Sequence, residues 1–160
     1  GETDIFSESF FDLIYSVYAF YYTKNEFNLL GNLKRKLKSN GRISIIGPYS
    51  DNNKNWWDFL EQFIKVDDEY TKYTNTEFMK GIENYAKNNF QEVKITEFIN
   101  QITIPSMDIF LQYWKSNIYH DSKYDSEFQS HAQKHFDIYG NFQYSKKAQL
   151  ITMKKPISLS

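Results

Sequence analysis

The residues that stand out as suited to moving protons or holding a metal are three histidines and Asp51 in a short polar loop. His131 and His135 stand four apart in a stretch of helical pattern, a spacing that can turn two imidazoles toward one ion. No Glu follows His131 and no third ligand stands out, so the sequence is read as having no metal site. His120 falls in a polar stretch, 115–123, where a general base can reach a bound acceptor. Asp51 is the second candidate base. It opens Asp51-Asn52-Asn53, a triplet that also suits the start of a helix, so capping and proton abstraction both stay open for it. Asn52 and Asn53 can position a polar substrate. Lys34, Arg35, Lys36 and Lys38 form a basic run, but Leu33 and Leu37 interrupt it at helical spacing. That pattern is the solvated face of an amphipathic helix rather than a nucleic-acid patch.

The totals remove other chemistries. There is no Cys, hence no disulfide, thiolate metal site or cysteine nucleophile, which fits a reducing cytoplasm. Net charge is −1, with 19 basic against 20 acidic residues, so nothing draws the whole molecule to nucleic acid or an anionic membrane. No apolar run approaches the ~20 residues of a membrane span. Residues 1–9 carry acidic groups and no basic start, unlike a signal peptide. Aromatic content is 19%, from 14 Phe, 13 Tyr and 3 Trp, and is read mainly as compositional bias. At 160 residues the chain suits one domain with one core.

Two apolar runs of strand length, Phe10–Val17 and Ile43–Ile46, must position these groups. Between them Phe27, Leu30, Leu33 and Leu37 keep helical spacing, with Asn25 as N-cap and Ser39-Asn40-Gly41 as the stop. This predicts a strand–helix–strand unit with both strands covered on both faces, as in a parallel α/β sheet. Ligands of such sheets sit outside the carboxyl ends of the strands, here the loops Ser16–Tyr22 and Gly47–Asn53. Helices are expected at about 54–65, 76–89 and 126–139, and another after Pro105-Ser106. Strands are expected at 92–104 and 142–153, the last broken at Lys146-Lys147 by a bulge or turn. Gly140 suits the end of a helix. Trp57 lies off the apolar stripe of its helix, and Asp67, Asp68 and Glu69 make the following stretch acidic.

FDLIYSVYAFYY followed by LKRKLKSNGRISIIGP resembles the second half of class I S-adenosylmethionine-dependent methyltransferases. There, Phe11-Asp12 matches the start of the fourth strand. Leu37-Lys38-Ser39-Asn40-Gly41-Arg42 matches the turn into the fifth. The resemblance implies an α/β, partial Rossmann-like sheet of strands four to seven. Its last strand is antiparallel between the fifth and sixth, with helices on both faces and helical cover at about 54–90 and 105–139. It implies S-adenosylmethionine as cofactor, a small-molecule methyl acceptor and room for a homodimer. In the family the first half supplies a glycine-rich turn and an acid for the ribose. Here the six glycines are isolated and no G-x-G occurs.

The chain is therefore expected to be the C-terminal half of one domain spanning residues 1–160, inactive alone, and to leave an exposed apolar edge. The resemblance places Ser16 and Tyr18 beside the cofactor and Glu2 and Thr3 on its adenine side. It places Tyr21 and Tyr22 beside the acceptor, where an aromatic face can meet the sulfonium. Burial under the neighbouring helix accounts equally well for Phe20 or Tyr21. The alternative is a non-catalytic methyltransferase-like binding module, or one subunit of a split enzyme.

Overall fold

The computed structural model describes residues 6–65 and 76–157. Glu2, Thr3 and the acidic stretch at 67–69 lie outside the described residues. The first half runs β1 (Phe11–Val17), a 3-10 turn at Phe20–Tyr22, α1 (Glu26–Lys36), β2 (Leu37–Pro48) and α2 (Lys54–Leu60). The second runs α3 (Thr76–Asn89), β3 (Phe90–Ile104), α4 (Met107–Ser116), a 3-10 turn at Ser122–Tyr124, α5 (Asp125–Tyr139) and β4 (Phe142–Pro156). One open sheet has the order β1-β2-β4-β3, with helices around it. β1 is parallel to β2, and β4 enters antiparallel between β2 and β3, as expected. No helix among the described residues is long and apolar enough to cross a membrane. The chain divides into two compact units, residues 1–51, 73–98 and 147–160, and residues 52–72 and 99–146.

In the first unit the Asn25 side chain caps α1 by accepting from the Asn28 amide at 3.0 Å. The stop differs from the one predicted. α1 ends at Lys36 and β2 begins at once, at buried Leu37. Pairing then jumps from Phe11 opposite Leu37 to Leu13 opposite Arg42, so Ser39-Asn40-Gly41 is an irregularity inside the strand rather than a turn before it. The reason lies in the backbone: the Ser9 and Phe10 amides donate to the Arg35 and Lys36 carbonyls and seat the helix end against β1. Gly41 is required by space. A Cβ there would meet the Phe11 carbonyl oxygen and the Leu37 side chain, each at 2.8 Å.

Paired residues in a pleated sheet share a face, and successive residues alternate. Ile43, Ile45, Ile151 and Met153 lie on one face, buried with Leu30 of α1 and Met79, Ile82 and Ala86 of α3. Ile14 and Ser16 share it by register. On the opposite face Leu13, Tyr15 and Val17 are 41%, 71% and 57% exposed. Cover on both faces of β1, expected from its unbroken apolar run, is absent among the described residues, because α1 and α3 both contribute to the Ile43 face. Among the described residues the exposed apolar edge that was expected is present, with β1 at the end of the sheet beside β2.

The second unit has a core of rings. Trp114 stacks on Phe128 at 4.7 Å, Phe110 on Phe142 at 4.6 Å, and Trp56 meets Tyr113 edge-on at 4.9 Å. Much of the aromatic composition therefore builds a core in which offset and edge-on geometry adds to area burial. Trp57, off the expected stripe, is buried edge-on to Tyr119 at 4.9 Å. α2 stops at Leu60, short of the predicted Lys65, and the Phe63 and Ile64 amides both close back on the Leu60 carbonyl. Ser106 caps α4, and Gly140 ends α5 in the left-handed region at φ 69°. β4 is continuous through Lys146-Lys147, contrary to the predicted break. Backbone pairing outweighs side-chain polarity there, and the Lys147 carbonyl accepts from the Tyr49 amide.

Gly41→Ala is expected to destabilise by about 1–3 kcal/mol, as overpacking against backbone does. Gly31→Ala, whose Cβ meets Tyr85 Oη at an ordinary 3.8 Å, is expected to be neutral or mildly stabilising within its helix. Urea and thermal unfolding of both variants check this, and equal effects would refute the close-approach argument.

Candidate functional site

The loops at the carboxyl ends of β1 and β2 carry left-handed backbone at Tyr18, Ser50 and Asn53. Tyr18, directly after β1, has φ 49°, and Ser50, two residues after β2, has φ 57°. Left-handed backbone costs a bulky residue about 1–3 kcal/mol and persists only when surroundings hold it. The Tyr18 amide is held by the Ile46 carbonyl at 3.0 Å. Its ring is half exposed, and partial burial pushes the phenol above its ordinary pKa. Phe20, next along, is buried in the first unit's core, as the packing explanation expected. Tyr21 and Tyr22 leave the core in contact with each other at 4.6 Å, with Tyr21 also edge-on to Phe78 at 6.2 Å. Tyr22 is exposed. Ser16 pairs with Ile45 at the end of β1 and is half-buried.

After β2, Asp51 accepts from Ser50 Oγ at 3.0 Å and forms an ion pair with Lys147. The Lys147 hydrogen bond, then that of Ser50, holds its carboxyl below the usual range. That makes Asp51 a weaker base than a free aspartate. Nor does its side chain cap α2. The cap position is Asn53, at φ 58° and with no side-chain capping bond. Its backbone carbonyl accepts from the Trp56 and Trp57 amides, while Oδ1 is buried without a partner among the described residues. Tyr49 gains a raised phenol pKa from burial and from the Glu97 carboxylate.

In the second unit the loop before α5 holds His120. Its Nε2 lies 3.0 Å from Asp125 Oδ1, which also accepts from the Trp114 indole at 2.7 Å. A carboxylate accepts, so Nε2 carries the proton and Nδ1 is left as the basic nitrogen. The Trp114 bond, then the His120 bond, pulls the Asp125 carboxyl down. Sequence reasoning named His120 and missed both partners. The available signal was Asp125 itself, an acid at the start of a predicted helix, five residues after the histidine. His131 Nδ1 meets Gln62 Oε1 at 3.0 Å and His135 Nε2 meets the Asn141 carbonyl at 3.1 Å, so each imidazole has its own partner. Among the described residues no group of three His, Asp or Glu is placed to hold a metal.

No family model matches the chain, and no curated protein does. Solved structures do. A Bacillus halodurans protein assigned as a methyltransferase matches over 95% of this chain and 67% of its own, at 14% identity and a TM-score of 0.56. YcgJ of Bacillus subtilis matches over 94% and 66%, at 13% identity and a TM-score of 0.48. Phosphoethanolamine N-methyltransferase 2 of Haemonchus contortus, solved with phosphomonomethylethanolamine and S-adenosylhomocysteine, matches over 93% and 34%, at 14% identity and 0.44. The chain thus spans two thirds or less of most of these proteins, and the first likeness carries the fold.

The Asp125 cluster sets a pH dependence. A carboxyl lowered in the folded state adds stability above its unfolded pKa, and that stability is lost as pH falls through the folded value. Urea midpoints should therefore fall below about pH 4, the unfolded aspartate value. Asp125→Asn should flatten that fall and shift Trp114 fluorescence. An unchanged acid limb in the variant would show that the Trp114–His120 contacts do not set this pKa.

Proposed function

We propose that this chain, which carries part of the class I methyltransferase fold, is the C-terminal half of an S-adenosylmethionine-dependent methyltransferase for a small-molecule acceptor. The observation that supports it best is the sheet: two parallel strands, then a last strand inserted antiparallel between the second and third. The match to the Bacillus halodurans protein over 95% of the chain supports the same reading. The cofactor would supply an electrophilic methyl for direct displacement by the acceptor, with rate drawn largely from positioning.

The resemblance assigns residues of this chain to such a site. Ser16 and strained Tyr18 stand at the end of β1, and Glu2 and Thr3 are assigned to the adenine side. Tyr21, Tyr22, Asn52 and Asn53 are assigned to the acceptor. Asp51 and His120 are the candidate bases, His120 being the one whose tautomer is set by a carboxylate. No glycine-rich turn and no ribose-holding acid follows a strand in this sequence. Among the described residues the outer edge of β1, where a further parallel strand would join, has no neighbour. The same edge favours a second form of this reading, one subunit of a split enzyme.

The test is the mass of the polypeptide in its native source, with calorimetric titration by S-adenosylhomocysteine. Expected is a mass well above 19.2 kDa, or a companion chain, with micromolar binding, and no binding by the 160-residue chain alone. Micromolar binding by the short chain would overturn the placement of the cofactor site. No binding by the native polypeptide would overturn the methyltransferase reading.

A further inference from the structure

The basic run at the end of α1 divides in the structure. Lys36 Nζ donates to the Phe6 carbonyl, and Lys38 pairs with Asp12 at 2.7 Å. Lys34 and Arg35 enter no ion pair among the described residues. Their partners are neutral. Lys34 Nζ donates to Asn89 Oδ1 at 3.4 Å, and Arg35 Nη2 donates to Asn32 Oδ1. Amide oxygens thus orient both cations without cancelling either charge. Nor are the cations needed by carbonyls at the helix ends. The Lys34 carbonyl accepts from the Leu37 amide, and those of Arg35 and Lys36 accept from Ser9 and Phe10. On α3 the Tyr85 carbonyl accepts from Asn89 Nδ2, and the Asn89 carbonyl from the Ile157 amide.

Both cations line a cavity of about 290 Å³, walled by Tyr85 and Asn89 of α3 and by Pro156 and Ile157 at the end of β4. Gly31 adds no side chain to it. Glu83 and Glu92, acids close along the chain to these walls, are engaged by Lys87 and Lys155. β4 runs antiparallel to β2 with Lys154 opposite Arg42, so the cavity lies toward the amino end of β2, away from the carboxyl-end loops.

We propose that this cavity binds a small organic phosphomonoester, its phosphoryl oxygens on Lys34 and Arg35 and its apolar body against Tyr85, Pro156 and Ile157. None of the residues assigned to methyl transfer takes part, so the site stands apart from that reading. Charge selects the ligand. A phosphomonoester carries about −1.5 to −2 at pH 7 and matches two cations, whereas a carboxylate balances one. A guanidinium fork fits phosphate oxygens in bidentate fashion. Burial raises the Tyr85 phenol pKa and the Arg35 charge opposes that rise, so the phenol stays a protonated donor within the field of the guanidinium. The volume sits at the low end for ligand pockets and suits a body the size of one ring. A nucleic-acid backbone would need a track of cations, but Lys36 and Lys38 are turned to other partners.

Amide chemical-shift titration of the isotope-labelled 160-residue chain with phenyl phosphate tests this. Saturable shifts are expected at the ends of α1 and α3 and at Ile157. Phenyl phosphate should bind about tenfold tighter than inorganic phosphate or benzoate, each of which supplies half of the ligand. Lys34→Gln with Arg35→Gln should weaken it about tenfold or more. Lys38→Gln with Lys87→Gln removes the same charge from the same unit and should leave the affinity unchanged. Glutamine is a good helix former, and circular dichroism verifies that both double variants fold. Shifts that do not saturate or that lie elsewhere would overturn the proposal. So would equal weakening by both double variants, or benzoate binding as tightly as phenyl phosphate. Tighter binding of a phosphotyrosine peptide or of oligothymidylate would overturn it in favour of a macromolecular partner.

Discussion

The pairing of β4 against β2 is the constraint on which the first unit depends. Seven residue pairs from Arg42–Lys154 to Pro48–Ala148 set which side chains share a face. With that register Ile43, Ile45, Ile151 and Met153 meet α1 and α3, and Arg42, Ser44, Thr152 and Lys154 turn the other way. A slip of β4 by one residue against β2 would exchange its two sets, placing Lys154 beneath the helices and turning Ile151 and Met153 away from them. Burying an unpaired cation costs several kcal/mol, which is why one register dominates. Among the described residues Gln149, opposite Gly47, is the buried polar residue of this face, and its Oε1 has no partner there. The register places it there, and the strong apolar pairs on either side hold it.

Much of this was legible because local chemistry and tertiary packing agree. Asn25 caps the helix it was expected to cap, α3 spans the predicted 76–89, and Gly140 takes the left-handed conformation its position called for. In each case the signal is a short-range bond or a periodic apolar stripe. Where the two levels conflict, tertiary pairing wins. Ser39-Asn40-Gly41 has turn chemistry, yet Phe11 draws Leu37 into the sheet. Lys146-Lys147 has the polarity of a break, yet the β4 ladder runs through it. An unbroken apolar run in β1 suggested cover on both faces, but periodicity cannot say where covering elements come from.

The candidate site was legible in a different way. Its residue types could be named, but their electrostatic states could not. Asp51 and His120 looked alike as candidate bases. Their environments separate them: Asp51 is tied to Lys147 and made less basic, while His120 faces a carboxylate that leaves one ring nitrogen basic. The difference arises from residues 96 and 5 positions away along the chain, of which only the nearer lies within reach of a sequence window. Asp125 serves Trp114 as well as His120, so packing of the ring core and orientation of the histidine are one interaction.

Strain at Tyr18 and Ser50 completes the physical picture of the first unit. Both residues sit just past the carboxyl end of a parallel strand, and neither is glycine. Each would relax to right-handed or extended backbone unless neighbouring bonds forbade it. For Tyr18 the forbidding bond is the one to Ile46 on the adjacent strand. For the segment containing Ser50 it is the Tyr49 bond to Lys147 together with the Asp51–Lys147 pair. Both loops are therefore set by the same β1-β2-β4 ladder that sorts the two faces, and their shapes exist before any ligand arrives. Loops preset in this way add little ordering entropy to binding.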